Sequence, residues 1–225
     1  MSIIGKLRTD PKLRRITACI YSLLGHNCKK IKGIGNEVIT QGTFRKGCKI
    51  RVYGNNNRIV FAESVYGISN INISIYGDDN QILIGENFAT DGLCFSVEDN
   101  NNKIIVGKNC HGGGHSELAA IEGTHIILGD DCMLSANITI RTGDSHSVLD
   151  ALTRERINKS KSVVIGNHVW IGNTVLIFKG TQISDNSIVA GGSVVTGKTF
   201  PKNCIVGGNP AKVIKEGADW CSERI

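Results

Sequence analysis

The stretch from Ile165 to Thr199 reads IGNHVW-IGNTVL-IFKGTQ-ISDNSI-VAGGSV-VTGKT, a run of hexapeptides. An α-helix repeats about every 3.6 residues and a β-strand about every two, so neither produces a six-residue period. A triangular coil does produce it, because one hexapeptide forms each flat side, with a large residue pointing to the axis and a small one at the tight corner. Hexapeptide repeats are typical of a parallel β-helix, and we predict that fold here.

Two sets of positions define the repeat. The predicted inward positions hold Ile or Val: Ile165, Ile171, Ile177, Ile183, Val189 and Val195. The predicted corner positions hold small or β-branched residues: Val169, Val175, Thr181, Ser187, Ser193 and Thr199.

A longer repeat precedes this run. Gly85, Gly107 and Gly129 are 22 residues apart, which is four more than three hexapeptides need. The additional residues fall in segments rich in Asn, Asp and Gly, such as 75–80 and 97–102. Those residue types favour turns and tolerate left-handed backbone, and their order does not match an EF-hand calcium loop. We therefore predict widened corners in the early coils.

The six-residue register breaks between 141 and 164, because Ile140 and Ile165 are 25 residues apart. This charged segment must leave the coil, and insertions in repeat proteins form surface loops that often carry the binding face. We predict an excursion loop over residues 141–160. Within it, His146 can accept a proton near neutral pH and is a candidate general base. Asp144 or a backbone carbonyl is expected to orient its ring.

The composition fits one domain and excludes several classes of protein. Aromatic residues make up 5% of the 225 residues and there are 27 glycines, as expected of aliphatic ladders with small corners. No apolar run of about 18 residues predicts a membrane span, and the N-terminus lacks the apolar core of a signal peptide. Eight cysteines without a C-x-x-C pair predict reduced thiols and a cytoplasmic location. No nucleic-acid-binding motif is found.

Each end of the chain is predicted to carry a short helix. In the N-terminal segment, residues 1–30, we predict a helix over 10–24 with Asp10 as its cap, Pro11 at its first position and Gly25 at its end. The C-terminal segment, residues 207–225, is predicted to form a helix and a tail after the coil of residues 31–206.

The N-terminal helix has two interpretations. It is expected either to cover the open edge of the first coil or, given its basic residues, to lie on the inner membrane surface. The formal charge of +6, with many basic residues near the N-terminus, favours acidic partners in general. The predicted apolar face of the helix consists of Leu13, Ile16, Ile20, Leu23 and Leu24.

Several motifs in one order resemble a known family. They are Gly143-Asp-Ser-His-Ser147, Arg156-Ile-Asn158, Ile165-Gly-Asn-His-Val-Trp-Ile-Gly172, Ala190-Gly-Gly-Ser-Val-Val-Thr196 and Val206-Gly-Gly-Asn-Pro-Ala-Lys-Val-Ile-Lys215. This order resembles the hexapeptide-repeat acetyltransferases, especially the sugar O-acetyltransferases that modify bacterial capsule and lipopolysaccharide glycans. The resemblance implies a left-handed parallel β-helix, a homotrimer, and acetyl-CoA as co-substrate in the groove between adjacent subunits.

The resemblance also implies residue roles. His146 falls on the family's catalytic histidine, and no metal is implied. The positions implied for acetyl-CoA are Trp170, Asn173, Gly191, Gly192, Thr196, Lys198, Lys212 and Lys215. The sequence Val195-Thr-Gly-Lys-Thr departs from the common Val-Thr-Lys-Asp. The resemblance therefore does not decide which of the three lysines lies near the cofactor. The sugar acceptor is expected between the excursion and upstream coil residues, at His115, Glu117, Glu122 and Arg156.

These features predict an acetyl-CoA-dependent O-acetyltransferase of a surface polysaccharide or its precursor. The alternatives are N-acetylation of a nucleotide-linked amino sugar, and a β-helix scaffold without catalysis. A zinc enzyme of the γ-type carbonic anhydrase kind would need three histidines, for which His111, His115 and His146 are the candidates.

Overall fold

A computed structural model describes residues 3–40, 42–64 and 66–224. Two helices, α1 (Ile3–Thr9) and α2 (Pro11–Leu24), precede a long series of short strands. In chain order the strands of the first half are β1 (Cys28–Lys32), β2 (Glu37–Ile39), β3 (Phe44–Lys46), β4 (Lys49–Tyr53), β5 (Arg58–Phe61), β6 (Gly67–Ser69), β7 (Asn72–Tyr76), β8 (Gln81–Ile84), β9 (Ala89–Asp91), β10 (Leu93–Glu98), β11 (Lys103–Val106) and β12 (His111–Gly112). Those of the second half are β13 (Ser116–Ala120), β14 (His125–Leu128), β15 (Met133–Leu134), β16 (Thr139–Arg141), β17 (Val163–Ile165), β18 (Trp170–Ile171), β19 (Leu176–Ile177), β20 (Gln182–Ile183), β21 (Ile188–Val189), β22 (Val194–Val195), β23 (Thr199–Phe200), β24 (Cys204–Gly208) and β25 (Ala211–Glu216).

Every third strand belongs to the same sheet, so the chain winds as a triangular coil. Sheet 1 runs in order from β1 through β4 to β22, sheet 2 from β2 through β5 to β23, and sheet 3 from β3 through β6 to β24. The pairs between successive coils are parallel, for example Ile104 beside Ile126 and Ile140 beside Ile177. We name the turn from sheet 1 to sheet 2 the first corner, that from sheet 2 to sheet 3 the second, and that from sheet 3 to sheet 1 the third.

The core is a set of aliphatic ladders inside the coil. All six predicted inward positions are buried, and they belong to one continuous apolar cluster with the early coils. The predicted period and the predicted break are confirmed, because Leu128 pairs with Ile165 across the excursion. The prediction for Thr199 is wrong: this residue is exposed, and Phe200 beside Ile183 takes the inward position. Gly197, with φ of 49°, turns the chain one residue earlier than the preceding repeats do.

The widened first corners of the early coils hold an asparagine ladder. Its members are the buried residues Asn57, Asn80 and Asn102. Each forms hydrogen bonds with a neighbouring coil. The Asn80 backbone N–H donates to Asn57 Oδ1 at 3.0 Å, and the Asn102 N–H donates to Asn80 Oδ1 at 2.8 Å. Because a buried amide must find partners, the ladder satisfies the backbone groups that a wider corner leaves without strand partners. These segments are therefore turns, as predicted.

The N-terminal helix α2 begins and ends as predicted but packs by a different face. Asp10 caps it by accepting a hydrogen bond from the Leu13 N–H, and Gly25 follows its last residue. The helix lies against β3 of the first coil. Its buried residues are Ala18 and Ser22, whereas the apolar face predicted to cover the coil is exposed.

The predicted C-terminal helix is wrong. After β24 the chain reverses and forms β25, which pairs antiparallel with β24 as the edge of sheet 3. Ala211 is buried and Val213 packs against the core. The unpaired backbone of β24 and this apolar contact favour a strand, since tertiary pairing overrides the weak local helix preference. No helix in the described parts of the chain is long and apolar enough to cross a bilayer.

Candidate functional site

The excursion leaves the coil at the first corner, between β16 and β17, and folds back on itself. Ile157 donates its backbone N–H to the Val148 carbonyl at 2.9 Å, and Asp150 donates to the Glu155 carbonyl at 2.8 Å. The Asp150 carboxylate closes the tip by accepting from the N–H groups of Leu152 and Thr153, at 2.9 and 2.8 Å. The segment is thus an ordered hairpin-like loop that carries His146 on its outgoing limb.

Asn158 joins the two limbs of this loop. Its side chain is buried and its Nδ2 donates to the His146 carbonyl at 2.7 Å and to Asp144 Oδ2 at 2.8 Å. Its Oδ1 accepts from the Val148 N–H at 2.8 Å and from Arg156 Nε at 3.1 Å. A side-chain amide has two donor hydrogens and two acceptor positions, so all of its hydrogen-bonding capacity is used. Asn158 therefore fixes the backbone from the His146 carbonyl to the Val148 N–H and also holds the side chain of Asp144.

The Asp144 carboxylate ties the loop to the following coil. It forms an ion pair with the Lys179 ammonium, which also donates to the Asn158 carbonyl at 3.0 Å. Hydrogen bonding from Lys179, with a smaller contribution from Asn158, holds the pKa of Asp144 below its ordinary value. The carboxylate is thus engaged with Lys179 and Asn158, while the backbone of Asp144 accepts from the His146 N–H at 2.8 Å.

A second ion pair ties the loop to the preceding coil. Arg156 Nη1 lies 2.5 Å from Glu122 Oε1, and Glu122 Oε2 accepts from the Ser160 N–H at 3.1 Å. The hydrogen bond from Arg156 is the main cause that lowers the pKa of Glu122 below its ordinary value. Because Glu122 and Lys179 lie at the first corners of the two neighbouring coils, the loop is held from both sides.

His146 lies on this framework with its side chain exposed. Beside the loop, on the same column of first corners, is a surface cavity of about 500 Å³. Its lining includes Asp144, Asn158, Phe178, Lys179, Thr196 and Gly197. The arrangement presents an exposed imidazole ring next to a cavity in which Asp144, Asn158 and Lys179 are paired with one another.

Four of the residues implied for acetyl-CoA lie around the third corner, away from His146 in the same chain. Trp170 in sheet 3 is 36% exposed, and its Nε1 donates to Ser135 Oγ at 3.2 Å. Asn173 follows it at the corner, with its carbonyl accepting from the Gly192 N–H of the next coil at 2.8 Å. A Cβ at Gly192 would meet nothing within 4 Å, so the surface beside Gly192 is open, whereas a Cβ at Gly191 would lie 3.1 Å from the Asn173 carbonyl oxygen.

The other four residues implied for acetyl-CoA lie elsewhere in the chain. Thr196 and Lys198 are exposed at the first corner, and Thr196 lines the cavity with Lys179. Lys212 and Lys215 are exposed on the edge strand β25 rather than on a helix. The eight positions therefore form three groups within one chain, of which only the first-corner group is beside the excursion.

The four residues expected to bind the sugar acceptor also lie in different parts of the coil. Glu122 and Arg156 pair with each other under the excursion, as described above. Glu117 pairs with Arg141 of the next strand in sheet 1, at 2.6 Å from its Nη2. His115 is exposed at the third corner, before β13. The structure brings two of these four residues together with the excursion.

Two residues that hold the loop, Asn158 and Lys179, were not predicted from the sequence. Asn158 stands in the quoted Arg-Ile-Asn motif, but its spacing from His146 gives no sign that the two meet. Lys179 lies in a regular repeat, where a charged residue ordinarily indicates a solvated corner. No cluster of three or more metal-ligating side chains is found among the described residues, and His111 lies in sheet 3, away from the excursion.

Known proteins with similar sequences and structures indicate the class of protein to which the chain belongs. No protein-family profile matches the chain. The polysialic acid O-acetyltransferase of Neisseria meningitidis is 34% identical over 198 residues, which cover 88% of this chain and 91% of that protein. The solved structure of the polysialic acid O-acetyltransferase OatWY superposes with a TM-score of 0.80 at 30% identity, over 88% of this chain and 92% of the other. The polySia-specific acetyltransferase NeuO superposes with a TM-score of 0.81 at 29% identity, over 88% and 83%.

The coil, with its histidine loop and these similarities, defines a left-handed parallel β-helix acyltransferase. The chain belongs to the hexapeptide-repeat acetyltransferases and is an acetyltransferase, as the sequence motifs indicated. The alternative of a scaffold without catalysis is thereby set aside.

Proposed function

We propose that this chain transfers the acetyl group of acetyl-CoA to a hydroxyl group of a sugar in a bacterial surface polysaccharide or its precursor. The observation that carries the proposal is the exposed His146 on a loop in which Asn158 binds the His146 carbonyl, the Val148 N–H and the Asp144 carboxylate. Support for the sugar acceptor comes from the relatives, which are named as polysialic acid O-acetyltransferases.

His146 serves as the general base in this proposal. A sugar hydroxyl is a weak nucleophile until it loses its proton, whereas the thioester of acetyl-CoA is already activated. His146 takes the hydroxyl proton as the oxygen attacks the thioester carbon, and then gives that proton to the departing sulfur. The C–O bond forms, the C–S bond breaks, and no covalent enzyme intermediate is required. Such a base accelerates a reaction by about 10²- to 10⁴-fold.

The distribution of residues around the coil supports a homotrimer with shared sites. His146 lies at the first corner, whereas Trp170 and Gly192 lie in sheet 3 and at the third corner. One chain does not place the base beside the open glycine surface. A cyclic trimer that sets the first corner of one subunit against the third corner of the next would unite them, and closed cyclic symmetry is the common form of oligomer.

The tip of the excursion supports the same assembly. Val148, Leu149, Leu152 and Ile157 are all exposed, and Leu152 is 93% exposed. A cluster of exposed apolar side chains on an ordered loop is typical of an interface. In the trimer, this tip would pack on the adjacent subunit and help to enclose the groove.

Acetyl-CoA is a substrate here, and the exposed basic residues offer places for its phosphates. Lys198 is on the first-corner side of the groove, and Lys212 and Lys215 are on β25. The open surface at Gly192 leaves room for the pantetheine arm close to the backbone. The eight cysteines are free, which fits a reducing cytoplasm, where acetyl-CoA is made.

The decisive experiment measures acetyl transfer from isotope-labelled acetyl-CoA to a panel of acceptors by mass spectrometry. Polysialic acid, other capsule glycans and lipopolysaccharide glycans supply hydroxyl acceptors, and nucleotide-linked amino sugars supply amines. We expect label on a glycan hydroxyl. Transfer only to an amine would replace the proposal with N-acetylation of a nucleotide-linked amino sugar, and release of CoA without labelled sugar would overturn both.

A further inference from the structure

Helix α2 is held on the coil by polar contacts on one face. Arg14 and Arg15 both form ion pairs with Glu63, at the second corner between β5 and β6. Ser22 is buried, donates from its Oγ to the Thr43 carbonyl at 3.2 Å and accepts from the Arg45 N–H at 3.2 Å. Since these contacts lie near both ends of the helix, its orientation on the coil is fixed.

The opposite face of α2 is apolar and exposed. Ile16 and Ile20 are 60% and 56% exposed, and Leu23 and Leu24 are 79% and 76% exposed. Spacings of three and four residues place these side chains in one stripe, about half a turn away from Ala18 and Ser22. A stripe of this size on an ordered helix marks a contact surface rather than scattered surface residues.

The chain around this stripe is strongly basic. Residues 1–51 contain twelve Lys and Arg against two Asp and Glu, while the rest of the chain carries fourteen against eighteen. Lys12 on the helix and Lys29, Lys30 and Lys32 on β1 are exposed. Leu23 and Lys29 line the same surface pocket, so the apolar stripe continues into the lysine-rich strand.

These features favour an anionic lipid surface as the occupant. A helix with an apolar face and flanking lysines lies in the plane of a bilayer interface, where its lysines meet lipid phosphates. A second copy of this chain would bring the same positive surface against itself, which charge repulsion opposes. The proposed subunit groove also uses the first and third corners, whereas α2 is anchored at the second.

We propose that the exposed face of α2, together with the lysines of β1, docks the protein on the surface of a membrane that contains anionic lipids. The side chains of Ile16, Ile20, Leu23 and Leu24 enter the boundary of the acyl chains. The lysines of β1 contact the headgroup phosphates. This inference is independent of the proposed catalytic role of His146.

The test is sedimentation of the full-length protein with lipid vesicles. We expect binding to vesicles with about 30% phosphatidylglycerol and weak binding to pure phosphatidylcholine, since each basic residue near an anionic surface adds to the affinity. The double variant Ile20→Ser/Leu23→Ser should lower the partition coefficient by about tenfold or more, because it removes two inserting side chains. The double variant Lys29→Gln/Lys30→Gln should lower binding to the anionic vesicles only.

The matched control is Ile214→Ser, which changes another exposed apolar residue, 63% exposed, at the far end of the coil. It should bind vesicles like the unmodified protein. Equal binding by the Ile20→Ser/Leu23→Ser variant, or no binding by the unmodified protein, would overturn the proposal. A smaller oligomer for that variant in analytical ultracentrifugation, without vesicle binding by either protein, would assign the face to a second copy instead. Acetyl transfer to a soluble acceptor should be the same in all variants.

Discussion

Two turns at the same corner of the coil differ in how they are held. Between β19 and β20 the chain turns within Phe178–Thr181, where the buried Thr181 donates its hydroxyl to the Phe178 carbonyl at 2.7 Å. Between β16 and β17 the chain makes the long excursion. The short turn is held by one hydroxyl and by backbone hydrogen bonds to Ser162 and Val195 of the neighbouring coils. The excursion instead takes its order from side chains of both neighbouring coils, Glu122 and Lys179.

The difference shows how a repeat fold acquires a site. The strand register of the aliphatic ladders fixes where every corner lies, but a regular corner presents few groups that could contact a substrate. The excursion presents His146, and the corners above and below supply the ion pairs that keep it in place. Under the proposed function, stability depends on the repeat and catalysis on its interruption, and experiments can separate the two.

The largest expected effect comes from removing the base. His146→Ala should lower kcat for acetyl transfer by about 10²- to 10⁴-fold, because the hydroxyl loses its proton acceptor. The melting temperature should hardly change, since the side chain is exposed. His111→Ala, a histidine exposed on sheet 3, is the control and should keep normal turnover. Near-normal turnover in His146→Ala would assign the proton transfer to another group.

The His146→Ala variant also tests whether each active site is shared between two adjacent subunits. Trp170→Glu should also be inactive, because it removes an exposed ring and adds a carboxylate where an anionic substrate is proposed to bind. If each site combines His146 of one subunit with Trp170 of the next, mixed trimers should regain about one active site in three. To form mixed trimers, the two variants are unfolded, mixed and refolded together. If the mixture then showed no acetyl transfer, a shared site would be contradicted.

A smaller effect is expected from loosening the loop. Asn158→Ala removes four hydrogen bonds and should lower kcat by about 10- to 100-fold through misplacement of His146, with KM for acetyl-CoA nearly unchanged. Hydrogen exchange should show faster opening of residues 141–160 and an unchanged coil. Asp150→Ala, which removes two hydrogen bonds at the tip, is the control and should affect kcat much less. Equal losses in both variants would show that the loop acts as one unit without a special role for Asn158.

The smallest effect concerns pH. The lowered pKa values of Asp144 and Glu122 mean that both ion pairs contribute stability above the ordinary carboxyl pKa of about 4. That contribution is lost as the pH falls through the lower values in the folded protein. Proteolysis of the excursion should therefore increase below about pH 4 while the coil stays intact. Lys179→Met should move the onset to higher pH, and an unchanged onset would show that the Asp144 pair does not hold the loop.

Most of the coil could be predicted from the sequence because its pattern is local. The six-residue period, the step of 22 residues and the break before Ile165 are each visible in the order of apolar residues and glycines. Asp10 and Pro11 likewise locate the start of α2. These signals depend on residues close together in the chain, where periodicity is informative.

What could not be predicted depends on contacts between distant residues. The exposed face of α2 follows from Glu63, which pairs with two arginines on the other side of the helix. The hydrogen bonds of Asn158 and the ion pair of Lys179 arise only once the loop folds back across two coils. The strand β25 forms because β24 offers an unpaired edge, which is not visible in residues 211–216 themselves.

That last strand has a consequence for solubility. Parallel coils present an open sheet edge at each end, and identical solenoids could stack end to end into fibres through such edges. Because β25 runs antiparallel to β24, the edge of sheet 3 no longer has the direction that another parallel coil would need. Its exposed Lys212, Lys215 and Glu216 add charge to that edge. The hairpin thus ends sheet 3 and removes one of the three strand edges through which another coil could stack at this end.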